Sequence, residues 1–174
     1  MGDYNDSNYA SLFNHNAAEM LMAFANTYNI ATQAVAFAAA DPATTGTAMC
    51  YIDGVLIPSL TVEDDADWSS DTSTISVEGD AEGFVVPDTY SQYLAVFADA
   101  DGRLRIDLAG DLALDADVEC KIPMFDPSTY VCIAIVLIDG NGCTLGTTNI
   151  NALATVYQVV GPVYPHPDNL PQGI

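Results

Sequence analysis

Positive charge is nearly missing from this chain. Arg103, Arg105 and Lys121 are its only Lys and Arg residues, against 24 Asp and Glu, for a formal net charge of -21 at pH 7. Nucleic-acid affinity rests on Lys and Arg neutralising phosphates, so no binding to DNA or RNA is expected. An anionic membrane surface is excluded on the same ground. Most carboxylates can find no basic partner and must stand in solvent. That keeps the chain soluble in spite of a hydrophobic content of 50%.

Histidine is equally scarce, with His15 and His166 alone, and neither stands in the sequence context of a catalytic triad or a metal site. Glycine-rich phosphate loops are absent. Cys50, Cys120, Cys132 and Cys143 form no Cys-x-x-Cys and have no His nearby, so a zinc site is not expected. Cys50 and Cys132 fall inside strand-like runs, which predicts buried free thiols acting as small hydrophobes. Asp99-Ala100-Asp101-Gly102 resembles the start of a calcium loop, but Arg103 and Leu104 follow where further oxygen ligands are needed. A hairpin turn is the better reading there. No run is long and apolar enough to span a bilayer as a helix. Met1-Gly2-Asp3-Tyr4 lacks the basic start of a secretory signal, which predicts synthesis in a reducing cytoplasm. The expectation is a chain that is not an enzyme and uses no cofactor and no metal.

What the sequence does hold is strand. An unbroken apolar run covers 130–138 and stops at Asp139-Gly140-Asn141-Gly142. A run of that length, rich in β-branched residues and closed by turn residues, predicts a strand. Strict alternation would put Tyr130, Cys132, Ala134, Val136 and Ile138 on one face and Val131, Ile133, Ile135 and Leu137 on the other. Both faces are apolar, so the strand needs a cover on each side.

Around it, 1–16 is polar and Asn-rich with Tyr4, Tyr9, Leu12 and Phe13 spaced through it, an arm suited to ordering on a partner. Asn16 and Glu19 have a capping-box layout, and Ala17, Met20, Leu21, Phe24 and Tyr28 recur at helical spacing, predicting a helix over 17–27. That helix either packs on its own domain or reaches a neighbour with the arm; the pattern fits both. A hairpin pairing 30–39 with 47–52 is expected next. Three further segments each join an apolar strand to Asp-Gly and a returning strand, over 49–57, 94–106 and 135–145. Pro58 marks an edge or a bulge in the strand over 55–62. A short strand is predicted over 74–78, and a strong one over 89–98 has Tyr90, Leu94 and Val96 on one face and Tyr93, Ala95 and Phe97 on the other. A final strand covers 155–160. The stretch 162–174 holds Pro162, Pro165, Pro167 and Pro171 and reads as an extended tail. The fold class is therefore mainly β, an antiparallel β-sandwich or barrel-like domain with Asp-Gly hairpins. An N-terminal arm and helix (1–29) precede the β domain (30–161), and the Pro-rich tail (162–174) follows it.

The order of these segments carries a resemblance. It runs from Tyr51-Ile52-Asp53-Gly54-Val55 through the Tyr93–Leu104 hairpin to Cys132-Ile133-Ala134-Ile135-Val136-Leu137-Ile138, Gly146-Thr147-Thr148 and Val156-Tyr157-Gln158-Val159-Val160. It is similar to a group of small virion structural proteins of tailed bacteriophages, the head decoration, cement and head-fibre subunits. The resemblance implies a β-rich homo-oligomer, a homotrimer by preference, on the capsid surface of the virion. Such a protein clamps the major capsid protein and its sister subunits without doing chemistry. Tyr4, Tyr9, Leu12, Phe13, Met20, Phe24, Tyr164 and His166 are the residues expected to make those contacts. The alternative is a carbohydrate- or receptor-binding β-sandwich with Trp68 beside Tyr90 or Tyr93 as its platform.

Overall fold

A computed structural model of the chain describes residues 17–30, 36–38, 41–43, 48–60, 84–100, 104–145, 148–149 and 152–169. Within them a helix, α1, covers 17–25. The strands are β1 (Tyr28–Asn29), β2 (Ala36–Ala38), β3 (Asp41–Ala43), β4 (Ala48–Ile52), β5 (Val55–Leu60), β6 (Val85–Val86) and β7 (Tyr90–Asp99). They continue with β8 (Leu104–Leu108), β9 (Ala113–Leu114), β10 (Tyr130–Asp139), β11 (Cys143–Thr144), β12 (Ala154–Gln158) and β13 (Gly161–Pro162), and a 3-10 turn follows at Pro167–Asn169. The protein is mainly β, with antiparallel pairing throughout the described ladders.

The apolar run of β10 forms the middle of the central sheet, ordered β12-β10-β7-β8, with β9 also on β7. A second sheet, β13-β1-β4-β5, packs across β10 through β1 and β4. Between the two sheets lies a core that includes Cys50 and Ile52 from one side and Leu94, Val96, Val131, Val136 and Ile138 from the other. The β6–β11 ribbon adds Val86 and Cys143 to it. The opposite face of the central sheet has its own core, in which Ala95, Phe97 and Cys132 meet Phe24 of α1 and Phe125. Both faces of β10 are thus covered by this chain itself, one by a sheet and the other by helix and loop. The architecture is sandwich-like with a helical third layer, and the described strands close no barrel.

Strict alternation along β10 fails at one point. Cys132 pairs with Phe97 and Ala134 with Val96, so Ile133 is an extra residue, a β-bulge. The parity flips there: Val131, Ile133, Ala134, Val136 and Ile138 all enter the inter-sheet core, while Tyr130, Cys132 and Ile135 join the helix side. The bulge has a tertiary use. The Ile133 carbonyl accepts from Val159 N at 3.1 Å, where the chain leaves β12 and crosses to the other sheet as β13. Gly161, at φ 100, makes that bend.

The expected hairpins met three different fates. Asp53 and Gly54 have φ 49 and 76, the left-handed pair of a two-residue turn between β4 and β5. β5 is the last strand of its sheet, with a register shift opposite Pro58, so that proline marks both an edge and a bulge. β7 and β8 likewise pair directly. The third Asp-Gly is no hairpin. Both edges of β10 are taken by β7 and β12, so the chain after Asp139 has no edge to return along, and β11 pairs with β6 instead. Among the described residues, the pairing expected between 30–39 and 47–52 is seen at its start, where Tyr28 and Asn29 oppose Tyr51 and Cys50 and Ile30 N donates to Met49 O at 2.9 Å. Farther on, β2 and β3 pair locally, so Asp41 and Pro42 lie in a strand and not in a turn.

The helix ends at 25, and Tyr28 belongs to β1 rather than to the helical stripe. Thr27 ties the junction down: its Oγ1 donates to Pro127 O at 2.6 Å and accepts from Asp53 N at 2.9 Å. The proline tail is packed over its first part. Pro162 pairs with Tyr28, Val163 joins the helix-side core, Pro165 is buried, and His166 N donates to Ile122 O at 3.0 Å. The predicted strand over 74–78 lies outside the described residues.

Asp126 starts the turn that launches β10. Its carboxylate accepts from Ser128 N at 2.9 Å, Ser128 Oγ at 2.7 Å and Thr129 Oγ1 at 3.3 Å. The Ser128 hydroxyl is the main cause holding this carboxyl below its ordinary range. A folded value below the unfolded one gives stability that is present above the ordinary Asp range and lost as pH falls through the depressed value. We expect Asp126→Ala to cost about 1 kcal/mol near neutral pH, at the low end of such caps because the turn is solvent-exposed. Urea unfolding across pH should show the difference from the parent narrowing below about pH 4.

Candidate interaction surface

The second sheet turns one face into solvent. Cys50 and Ile52 point into the inter-sheet core, so Met49 and Tyr51, which alternate with them, point out. Tyr28 and Leu56 both oppose Tyr51 in the ladders and share its face. The Tyr28 and Tyr51 rings stack, with centroids 4.9 Å apart and planes at 29°. Met49 is 39% exposed and Leu56 44%. Ile30 and Val160 extend the exposed apolar area along the same sheet.

Charge sharpens the contrast. Among the described residues of this sheet the one carboxylate is Asp53, out at the β4–β5 turn. Exposed carboxylates gather elsewhere, with Asp111, Asp115, Asp117, Glu119 and Asp126 all on the 111–126 connection. A contiguous apolar face on a strongly acidic protein is the pattern of a surface meant to be covered.

The expected contact residues divide. Phe24 is 2% exposed and sits edge-to-face on Phe125 at 4.9 Å, so it has no surface to offer a neighbour. Met20 is partly buried in the same core. Tyr164 is half-exposed and leans on Phe24 at 6.0 Å. His166 Nδ1 accepts from Asp168 N at 3.3 Å, within a local turn. Tyr4, Tyr9, Leu12, Phe13 and Trp68 lie outside the described residues. Conversely, Tyr28, Met49, Tyr51 and Leu56 were not among the expected contacts. Alternation over 49–52 shows two faces there, but only the packing of the sheet on β10 shows which one is dry.

Chemistry has little to work with among the described residues. No group of three or more His, Cys, Asp and Glu side chains there is placed to hold a metal ion. Cys50, Cys132 and Cys143 are free and buried, while Cys120 is free and exposed. Burial pushes the Cys50 thiol up to about 11 and raises that of Cys132 further. Native protein at pH 8 is therefore expected to react with a thiol reagent such as DTNB at Cys120 alone, and at all four cysteines in denaturant. A second fast-reacting native thiol would contradict the packing of β4, β10 or β11. Comparison of the chain with protein-family models, with curated proteins and with solved structures finds no match among them.

Proposed function

We propose that this chain is a structural subunit of a tailed-phage virion, decorating or cementing the capsid surface in the company of sister subunits. The observation that carries the reading is the outer face of the β13-β1-β4-β5 sheet, where Tyr28, Met49, Tyr51 and Leu56 form an apolar surface with no carboxylate among the described residues of its strands. Such a face gains free energy by meeting a protein surface, at about 25 cal/mol per Å² of apolar area removed from water. The acidic remainder stays solvated, which suits a protein that is bound on one side and wet on the other. The order of strands and turns, similar to that of decoration and cement subunits, directs the choice of partner to a capsid.

The test is attachment. Protein mixed with particles stripped of it should co-sediment with them, and Tyr51→Ser combined with Leu56→Ser should abolish binding while circular dichroism stays native. Full binding by that variant, or no binding by the parent, sinks the proposal. The Tyr28–Tyr51 stack favours a second reading, an aromatic platform for a carbohydrate. Glycan-array binding lost in Tyr51→Ala would support it.

A further inference from the structure

The strand β12 has one edge on β10 and another that no described strand occupies. Val159 N donates to Ile133 O and Asp139 N to Leu153 O, so the odd-numbered residues of β12 turn their backbone groups toward β10. The N–H and C=O of Ala154 and Val156 therefore point the other way. Edges with such a row of groups are usually blunted by proline, charge, brevity or a bulge. The other three strands that end the two large sheets follow that rule. β5 has Pro58 and a register shift, β13 is two residues long with Pro162, and β8 carries Arg105 and Asp107. β12, Ala-Thr-Val-Tyr-Gln, has none of these devices. It lies within 140–167, the longest stretch of the chain without Asp, Glu, Lys or Arg.

We infer that this edge takes an added strand, an extended and uncharged segment of another protein with Lys or Arg just outside it. The outward donors and acceptors of Ala154 and Val156 select a peptide backbone over any other apolar partner. Side chains set its character. Ala154 and Val156 are partly buried against the inter-sheet core, so apolar residues beside them extend that core. On the opposite face Thr155 is exposed and Tyr157 is 49% exposed, which suits a β-branched or aromatic neighbour.

Charge decides between partners. A second copy brings the same net charge of -21, and that repulsion opposes the pairing of β12 with β12. The same field draws in a segment with basic ends. Asp139, exposed and bonded through its N–H to Leu153 O, stands at one end of the edge to meet one of them. The edge belongs to the central sheet, so the inference stands apart from the apolar face of the other sheet and from the capsid reading.

The probe is the synthetic peptide Lys-Lys-Thr-Val-Thr-Val-Thr-Lys-Lys, added to the isotope-labelled full chain at low salt, with amide hydrogen exchange read residue by residue. In the free protein the amides of Ala154 and Val156 should exchange about tenfold faster, or more, than those of Thr155 and Tyr157. Bound peptide should slow the first pair by about tenfold or more and leave the second pair little changed. Val156→Pro removes a donor that β10 does not use, so it should stay folded and bind the peptide about tenfold more weakly. A peptide with Glu in place of every Lys should also bind about tenfold more weakly, an arm that needs no protein variant. Slow Ala154 and Val156 amides in dilute free protein would mean that the chain covers this edge itself. Slowing with protein concentration alone would make a second copy the occupant. Either result overturns the inference. So does binding that leaves the two amides fast, equal binding of the two peptides, a folded Val156→Pro that binds like the parent, or no binding at about 1 mM peptide.

Discussion

Phe24→Ala is expected to remove about 3–5 kcal/mol of folding stability and to lower the melting temperature by roughly 10 °C. The side chain is 2% exposed and lies between Phe125, edge-to-face at 4.9 Å, and Tyr164 at 6.0 Å. Phe125 in turn leans on Phe97 of β7 at 4.9 Å, so the aromatic chain links helix, loop and central sheet. An alanine would leave a cavity that neither the sheet nor the tethered helix end can close. Thr27 and Asn26 fix that end, through Pro127 O and through Gly54 N, which donates to Asn26 O at 2.9 Å. Phe24→Leu keeps most of the volume and should cost less than half as much. Thermal and urea unfolding of the two variants check the order. Equal, small effects would mean that α1 contributes little to the fold.

Gly140→Ala is the second large effect, expected at about 3 kcal/mol or more. A Cβ at this position would drive into the carbonyl oxygens of Pro87 and Tyr90. These are backbone atoms and cannot swing aside as a side-chain tip can. Tyr90 is held by its own turn to Pro87 O and by its pairing with Leu114, and Ser91 pairs with Asp139 at the very end of β10. Gly54→Ala makes the comparison, since a Cβ there meets nothing within 4 Å but must adopt φ 76. Its cost should be about 1 kcal/mol, from conformation alone. Urea midpoints separate the two: crowding at 140 should shift the midpoint well beyond the shift at 54, and equal shifts would mean the β6–β7 turn yields.

Much of the fold is legible in short-range pattern. β7 and β10 announce themselves as apolar runs ended by turn residues, and the two faces read from β7 are the two that the cores divide. Asp53-Gly54 names its own hairpin because left-handed φ at both positions is what Asp and Gly tolerate. Helical spacing over 17–27 marks the helix that the described residues show over 17–25, and burial of Cys50 and Cys132 follows from their place in strand-like runs. The candidate interaction surface was less legible. Met20 and Phe24 stand out by helical spacing, but spacing marks a stripe without saying whether the stripe faces home or away. On this helix both sides are apolar, so pattern has no contrast to read, and the inward side turned out to be the one singled out.

The chain by itself therefore determined the β class, the positions of its long strands and the first hairpin. Each of these depends on neighbours a few residues apart, or on composition alone. Only the tertiary structure decided that Ile133 is an extra residue that flips the faces of β10, and that the Asp139-Gly140 turn finds no edge to return along. It also decided that Tyr28, Met49, Tyr51 and Leu56 lie on an outer face, with Met49 and Leu56 exposed, while Phe24 is buried. Those outcomes hinge on which strand occupies which edge, and on which face meets another layer. Such contacts join residues a hundred positions apart or more, as from Thr27 to Pro127 and from Tyr28 to Pro162, and no local period encodes them.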